Sequence, residues 1–230
     1  MQGEGTSPLR SHLIFKGIYF CIISLSTDLT ISLGPRYSKN FNTFMVYQET
    51  MPHRFTGDFS RLESEERKKI LPIERILPEM KIQPGDTMID FGCGIGYFSI
   101  PALDYVGAEG TVIAVDVSAE MLQELRKRAG LRKNLQIVHA DSLTSLTADI
   151  ILLSMVIHEV DDPKGFLQTC FAALKPYGRI IVIDWQKKET GSMGPPVEER
   201  LAKEEVIQFI RLNHREHSLH EWVYFLEFFS

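Results

Sequence analysis

The sequence predicts an α/β fold in which a mostly parallel, doubly wound sheet of the Rossmann-like kind is covered by helices. Three observations lead to this prediction. The segments Ile150–Leu153 and Ile180–Ile183 are apolar at every position, which is typical of strands buried on both faces. Strand-like and helix-like segments alternate from Thr87 onward, and a cluster of glycines follows the first strand. In such sheets ligands bind at the carboxyl ends of the strands, so the residues after each strand are the functional candidates.

The predicted elements alternate in the order that such a sheet requires. Short apolar segments predict strands over Thr87–Phe91, Thr111–Val117, Leu135–His139, Asp149–Ser154 and Arg179–Ile183. Helices are predicted over Tyr97–Val106, from the Ser118 cap to Ala129, from the Asp162 cap with Pro163 at the first helical position, and over Glu198–Leu212. Before the first strand, Arg61–Met80 predicts one or two amphipathic helices broken at Pro72 and Pro78.

The region before residue 51 differs from the rest of the chain. Its longest apolar run, Leu13–Leu25, has 13 residues and contains Lys16, whereas a membrane-spanning helix needs about 20. A signal peptide and a membrane anchor are alternatives, but no small-residue cleavage site follows the run cleanly. We therefore predict that residues 1–50 are an appendage, that one domain spans residues 51–230, and that the chain has no stable membrane insertion.

Composition and charge exclude several classes of protein. Lys and Arg total 25 and Asp and Glu total 30, so the net charge is −5, which argues against a dedicated nucleic-acid-binding protein. The three cysteines, Cys21, Cys93 and Cys170, are far apart. Their spacing indicates neither a disulfide framework nor a zinc site, so we expect a cytoplasmic protein without a metal site.

Gly92, Gly94 and Gly96 follow the first strand and open a helix, which lets a ligand approach the backbone and its free N–H groups. A dinucleotide fingerprint would place its third glycine where this chain has Tyr97. Asp90, directly before the loop, is a poor neighbour for a pyrophosphate and suits a ligand that carries an ammonium group. S-adenosylmethionine is such a ligand, and a nicotinamide dinucleotide is the alternative.

Taken in order, these motifs resemble the class I S-adenosylmethionine-dependent methyltransferases. The matching segments are Ile89–Gly96, Ala114–Ser118, His139–Ser142 and Leu174–Arg179, and the resemblance covers about Met51–Leu212. A weaker resemblance, to small-molecule enzymes related to the quinone methyltransferases, is carried by His53–Phe55, Ile183–Trp185 and Gly194–Pro196. The resemblance implies a seven-stranded type of sheet, with a methyltransferase domain over residues 51–230.

The last hairpin that the resemblance implies is in doubt. Val223–Phe229 is an apolar run that suits one strand, but the preceding His214–Glu221 is polar and contains no glycine turn. The expected hairpin is therefore compressed or altered.

The resemblance also implies roles for individual residues toward S-adenosylmethionine. Asp90 and two loop glycines would surround the methionyl part, Asp116 would accept hydrogen bonds from both ribose hydroxyls, and Asp141 would accept one from the adenine amino group. Turn or cap roles are the alternatives for these three carboxylates. The predicted cofactor-binding residues are Asp90, Gly92, Cys93, Gly94, Gly96, Asp116, Val117, Met121, Ala140, Asp141, Ser142 and Ser154.

His158 is the candidate for a base or an orienting group, because it follows the fourth strand at the expected edge of the sheet. A histidine hydrogen-bonded inside the fold near Glu159 is an equally good interpretation. Asp184 and Trp185 end the fifth strand and are candidates for lining the substrate pocket, although Trp185 would also serve as apolar cover.

The sequence therefore predicts methyl transfer from S-adenosylmethionine to a small-molecule acceptor, without nucleic acid as a partner. The helices of Arg61–Met80, the loop after the fourth strand and the Gly191–Pro196 loop are expected to cover that acceptor. The alternatives are a nicotinamide-dependent oxidoreductase and a catalytically inactive cofactor-binding accessory protein, the latter because both termini are unusual.

Overall fold

The computed structural model describes residues 14–15, 18–19 and 59–229. The two short segments are antiparallel strands, Ile14–Phe15 and Ile18–Tyr19, in a unit that covers residues 1–49. All other described residues belong to a second unit over residues 50–230. Apart from these two strands, the predicted appendage lies outside the described residues.

Seven strands form one sheet in the second unit. They are β1 Thr87–Phe91, β2 Thr111–Asp116, β3 Leu135–His139, β4 Ala148–Ser154, β5 Leu174–Trp185, β6 Asn213–His217 and β7 Val223–Phe229. Their order across the sheet is β3-β2-β1-β4-β5-β7-β6. Neighbours among β1 to β5 are parallel, whereas β7 runs antiparallel to both β5 and β6. The predicted doubly wound, mostly parallel sheet is confirmed.

Six α-helices accompany the sheet in the described residues of this unit. They are α1 Glu65–Ile70, α2 Ile73–Glu79, α3 Ser99–Val106, α4 Ala119–Ala129, α5 Pro163–Ala172 and α6 Lys203–Ile210. Short 3₁₀ turns occur at Phe59–Glu63, Ile157–Glu159 and Val197–Glu199. Searched over the described part of the chain, no helix is both long and apolar enough to cross a membrane.

The apolar strands are buried from both sides, as their sequence predicts. Ile150 to Leu153 and Ile180 to Ile183 have no exposed surface, and alternate residues point into two separate cores. One core packs α1, α2 and α3 against residues such as Ile150 and Leu152. The other packs α5 and α6 against the intervening residues, such as Ile151 and Leu153. Helices on both faces leave the carboxyl ends of the strands open at one edge.

The C-terminal hairpin is complete, contrary to the doubt that its sequence raises. β6 pairs with β7 from Asn213 opposite Phe229 to His217 opposite Phe225. Among the described strands β6 lies at the edge and has β7 as its one neighbour, so four of its five residues are exposed and polar residues are suitable there. The polar composition that obscured this strand is the composition that a sheet edge favours.

Other element boundaries also differ from the sequence prediction. The strand expected over Arg179–Ile183 is the longer β5, whose first residue Leu174 pairs with Ala148 before a shift in register. The expected helix over Glu198–Leu212 is a 3₁₀ turn followed by the shorter α6, because Arg200 between them turns its side chain into the protein and is 3% exposed. Pro72 does separate α1 from α2, but Pro78 lies inside the last turn of α2 and does not break it.

Candidate functional site

A cavity of about 870 Å³ opens where β1, β2 and β4 end at their carboxyl edges. The glycine loop and Asp116 line one end of it. Met155 and Trp185, which belong to the same core as α1 and α2, line the other end, whereas Phe166 borders the cavity beside Phe91, directly before the glycine loop. The helical segment that contains α1 and the loop around Gly194 complete the wall. These two predicted covering regions and the third, the loop after β4, all border the cavity. We call the first end the cofactor side and the second the acceptor side.

The glycine loop is held against the end of β2 by main-chain hydrogen bonds. The N–H groups of Gly92 and Cys93 both donate to the carbonyl oxygen of Val115, at 2.8 and 3.0 Å. Gly92 has a φ of +71°, and a Cβ at this position would lie 2.2 Å from Cγ2 of Val156. Gly94 also has a positive φ, but the nearest atom to a Cβ there would be 4.0 Å away. The first glycine is therefore required by packing, whereas the second leaves open space at the cavity wall.

Asp116 lies at the end of β2, and its carboxylate is fixed by two main-chain donors. Oδ2 accepts a hydrogen bond from the N–H of Gly94 and Oδ1 accepts one from the N–H of Ser118, each at 2.8 Å. Each carboxylate oxygen can accept a second hydrogen bond, so the group remains able to bind ligand hydroxyls. Ser118 also caps α4 through its own hydroxyl, which accepts from the N–H of Met121.

Asp90 lies beneath the loop, 2% exposed, and does not line the cavity. Its carboxylate accepts a hydrogen bond from the hydroxyl of Ser99 in the first turn of α3. Burial, against the hydrogen bond from Ser99 and together with the nearby charge of Asp116, raises the pKa of Asp90 to about 6. This position differs from the predicted one at the methionyl part and makes Asp90 a support for the loop and the helix behind it.

The remaining predicted cofactor residues divide into two groups. Those that line the cavity with Gly92, Gly94 and Asp116 are Cys93, Val117, Met121, Asp141 and Ser154. Those that do not are Gly96, Ala140 and Ser142. The hydroxyl of Ser154 is buried and has no hydrogen-bond partner among the described residues. A buried hydroxyl without a partner at a cavity wall is a donor and acceptor available to a ligand.

His158 and Asp184 form a close pair on the acceptor side. Nδ1 of His158 lies 2.7 Å from Oδ1 of Asp184, and their side chains are 7% and 2% exposed. His158 borders the cavity, while Asp184 lies behind it, so Asp184 is not at the predicted position on the pocket wall. Trp185 does line the cavity. The structure thus combines the two interpretations of His158, since it is both hydrogen-bonded inside the fold and open to the cavity.

Two arginines at this site were missed by the sequence analysis. Arg67 on α1 borders the cavity, with its guanidinium 5.6 Å from the ring centroid of Tyr97. Burial lowers the pKa of Arg67, and its Nε has no hydrogen-bond partner in the described part of the chain. In the sequence Arg67 looks like one more charge on the exposed face of an amphipathic helix, so only its position in the fold distinguishes it.

The second arginine, Arg200, holds the loop that follows β5. Its guanidinium donates to the carbonyl oxygens of Lys188, Met193 and Pro195, at 2.7, 3.0 and 2.8 Å. It also lies 5.3 Å from the ring centroid of Trp185. One buried side chain thereby fixes both the loop and an aromatic wall of the acceptor side. In the sequence Arg200 is one of several charged residues in a segment that was predicted to be helical, so its role in holding the loop was not indicated.

The groups on the cofactor side fit S-adenosylmethionine. The fixed carboxylate of Asp116 suits hydroxyl donors, and the open backbone at Gly94 leaves room for close approach of a ligand. Arg67 has a donor available for a carboxylate, and Ser154 has a hydroxyl without a partner. An amino acid joined to an adenosine carries matching groups. A search of the described residues found no cluster of His, Cys, Asp and Glu that could hold a metal ion.

Comparison with known proteins agrees with this fit. A family profile described as a methyltransferase domain matches residues 56–228. The chain is 27% identical over 150 residues to a demethylmenaquinone methyltransferase of Oceanobacillus iheyensis, covering 60% of this chain and 62% of that protein. It is 26% identical to the protein of the same description from Lactobacillus johnsonii, over 48% of each chain. The chain thus spans about half to three fifths of these curated relatives.

Among solved structures, a SAM-dependent methyltransferase from Aquifex aeolicus superimposes with a TM-score of 0.67 at 26% identity. The superposition covers 74% of this chain and 96% of the other. Nearly all of that smaller protein is therefore matched by about three quarters of this chain.

Proposed function

Because the chain belongs to the family of methyltransferase domains, with S-adenosylmethionine as its methyl donor, we propose that it methylates a small, largely apolar acceptor. The observation that carries this proposal is that polar groups suited to the cofactor and a largely apolar chamber share one cavity. A nucleic-acid acceptor would require basic groups along that chamber, whereas the charged side chains that line it next to His158 are Glu159 and Asp161, and Met155 and Trp185 favour an apolar ring.

On the cofactor side, four groups of this chain would hold S-adenosylmethionine. Asp116 would accept hydrogen bonds from the ribose hydroxyls, and Asp141 would lie at the adenine end. Arg67 would pair with the carboxylate of the amino acid, and Ser154 would supply its hydroxyl beside it. When bound, the cofactor supplies a methyl group that its positively charged sulfur already activates, so much of the catalysis reduces to positioning an acceptor.

On the acceptor side, the aromatic wall would bind a flat ring. Trp185 is held by Arg200, whose guanidinium lies 5.3 Å from its ring centroid. Two curated relatives are described as demethylmenaquinone methyltransferases, which supports a ring of the quinone type as the acceptor class. Aromatic side chains bind such rings by stacked or edge-to-face contacts, so the ring rather than its substituents would provide most of the affinity.

An inactive accessory protein is less well supported. The sequence suggested it because both termini are unusual, but the C-terminal hairpin is complete and pairs in full register with β5.

We propose a cytoplasmic location, which is supported by Cys93 and Cys170, both free in the structure, as expected in a reducing compartment.

Calorimetric titration and a turnover assay test the proposed function. We expect heat of binding with S-adenosylmethionine and none with NAD. We then expect S-adenosylhomocysteine to form in the presence of benzene-ring or naphthalene-ring hydroquinones. Asp116→Ala serves as the variant that should lose cofactor binding, and the exposed Arg211→Lys as the matched control. Binding of NAD in place of S-adenosylmethionine would refute the proposal, and turnover with polar amines but no ring compound would refute the acceptor class.

A further inference from the structure

The His158–Asp184 pair has a geometry that holding the cofactor does not require. It lies on the acceptor side, where the 3₁₀ turn Ile157–Glu159 follows β4 and Asp184 lies next to the end of β5. The two residues are 26 positions apart in the sequence, and adjacent strands bring them within 2.7 Å.

The carboxylate fixes which nitrogen of His158 carries the proton. Oδ1 of Asp184 also accepts a hydrogen bond from the N–H of Trp185 at 2.7 Å, so the carboxylate is fixed in place. A carboxylate only accepts hydrogen bonds, and therefore Nδ1 of His158 must be the donor. The neutral ring then has its lone pair on Nε2. In the described residues the nearest acid to Nε2 is Oε1 of Glu159, at 3.8 Å, which is beyond hydrogen-bonding distance.

The charges around the ring favour uptake of a proton. Burial by itself lowers the pKa of His158, and the nearby Arg200 lowers it too. The charge of Asp184, its hydrogen bond and the charge of Glu159 act in the opposite direction and outweigh them, so the pKa of His158 is raised. A base whose protonated form is stabilised by its surroundings is suited to accept a proton.

We propose that His158 takes up a proton from a ring hydroxyl of the acceptor and that Asp184 is its positioning residue. This inference rests on the proposed function and narrows it to phenols, hydroquinones and enols. The O–H bond breaks and its proton goes to Nε2. The electron pair left on oxygen, or shifted to a conjugated ring carbon, forms the bond to the methyl carbon. The bond from that carbon to sulfur breaks, and its pair stays on the sulfur, which becomes a neutral thioether.

An NMR titration of the histidine rings tests the pair without any acceptor. The full chain is titrated with S-adenosylhomocysteine present, and the His158 signal is assigned by its absence in His158→Gln. We expect a Nδ1–H tautomer in the neutral ring and a raised pKa that falls in Asp184→Asn, because the variant keeps the shape and removes the charge. The His214 signal, from the exposed edge strand β6, is the internal control and should not respond. An unchanged His158 pKa in Asp184→Asn would overturn the pairing.

Turnover with a hydroquinone tests the proton transfer. We expect His158→Gln to lower the rate by about 10²–10⁴-fold while S-adenosylmethionine affinity stays within about twofold. Asp184→Asn should lower the rate less and move the acidic limb of its pH profile to lower pH. His214→Gln is the matched control and should match the parent protein. If His158→Gln fails to fold, the test rests on the pH profile of the turnover rate in Asp184→Asn. An acidic limb at the same pH as in the parent protein would then overturn the proposal.

The outcomes separate this inference from the function on which it rests. Failure to bind S-adenosylmethionine refutes the proposed function itself. Cofactor binding with undiminished turnover in His158→Gln refutes only the base. Cofactor binding with turnover confined to acceptors that have no hydroxyl, such as amines, refutes the hydroxyl class and leaves methyl transfer in place.

Discussion

The two ends of the cavity are built by different means. On the cofactor side the backbone itself forms the wall, since the N–H groups of Gly92 and Cys93 bond to β2 and that of Gly94 bonds to Asp116. On the acceptor side the important contacts join side chains that come from separate elements, such as His158 with Asp184. The main-chain contacts on the cofactor side follow from the positions of the glycines in the sequence. The side-chain pairs on the acceptor side form only when the fold brings separate elements together.

This contrast explains why the sequence indicates the class of cofactor, whereas the choice of acceptor depends on the fold. Glycine spacing, a strand-end carboxylate and a helix cap are local patterns, and they identify a cofactor class. The acceptor chamber is assembled from the turn after β4 and the loop after β5, which are distant in sequence. The predictions below test whether changes on the cofactor side affect folding and cofactor affinity while changes on the acceptor side leave cofactor affinity unaltered.

The largest effect is expected at the first loop glycine. Gly92→Ala places a methyl group 2.2 Å from Cγ2 of Val156 and holds alanine at a φ of +71°. Overpacking and the left-handed backbone together should lower the free energy of unfolding by about 3 kcal/mol, measured by denaturant titration. Gly94→Ala is the matched control, because its added methyl meets nothing closer than 4.0 Å and should cost about 1 kcal/mol. Equal losses would show that crowding at Val156 is not what requires Gly92.

The next effect concerns the carboxylate at the end of β2. Asp116→Ala removes the acceptor for two ribose hydroxyls and also frees the N–H groups of Gly94 and Ser118. Affinity for S-adenosylmethionine should fall about tenfold to a hundredfold, which corresponds to about 1.5–3 kcal/mol for hydrogen bonds to a charged group. Calorimetric titration measures this affinity. Asp141→Ala, at an exposed position, should lose less. An unaltered affinity in folded Asp116→Ala would refute the role of Asp116 as the acceptor for the ribose hydroxyls.

The sequence was sufficient for the strands and for the cofactor end of the site. Runs such as Ile150–Leu153 can only be buried on both faces, and Gly92 and Asp116 lie in a local pattern that fixes their positions. The sequence was insufficient for β6, because an edge strand carries polar residues that do not differ from those of a loop. It was also insufficient for Arg67, whose burial its neighbours in sequence do not indicate, and it predicted Asp184 on the pocket wall, whereas Asp184 lies behind that wall.

On the acceptor side, Arg200→Lys tests the loop after β5. Lysine keeps the charge but offers three donors without the planar fork that reaches the carbonyl oxygens of Lys188, Met193 and Pro195. We expect a loss of about 1.5 kcal/mol in the free energy of unfolding and an increased KM for a ring acceptor. The Kd for S-adenosylmethionine should stay within about twofold. A cofactor Kd that rises as much as the acceptor KM would show that the two sides are not independent.

The smallest effect is expected at Asp90, which lies behind the cofactor loop and not on its surface. Its folded pKa of about 6 is above the ordinary value of 3.8, so between these values the folded state binds more protons than the unfolded state. Stability attributable to this group is therefore lost as the pH rises from about 4 to about 6, and the cost remains at neutral pH. Asp90→Asn removes the charge but keeps a polar group that needs hydrogen bonds. We expect a gain of about 1 kcal/mol at pH 7, less than the full shift implies, because the buried amide retains a desolvation cost.

Thermal or denaturant unfolding of Asp90→Asn at pH 4, 5, 6 and 7 measures this gain, with the parent protein at each pH as reference. The difference should be smallest at pH 4, grow through pH 5 and level off above pH 6. Cofactor affinity should change by less than about twofold, in contrast to Asp116→Ala, because the Asp90 carboxylate is turned toward Ser99 and away from the cavity. A large loss of affinity would show that Asp90 contacts the methionyl part of the ligand, as its motif suggests. A gain that does not depend on pH would mean that the effect comes from packing at Ser99 and not from the buried charge.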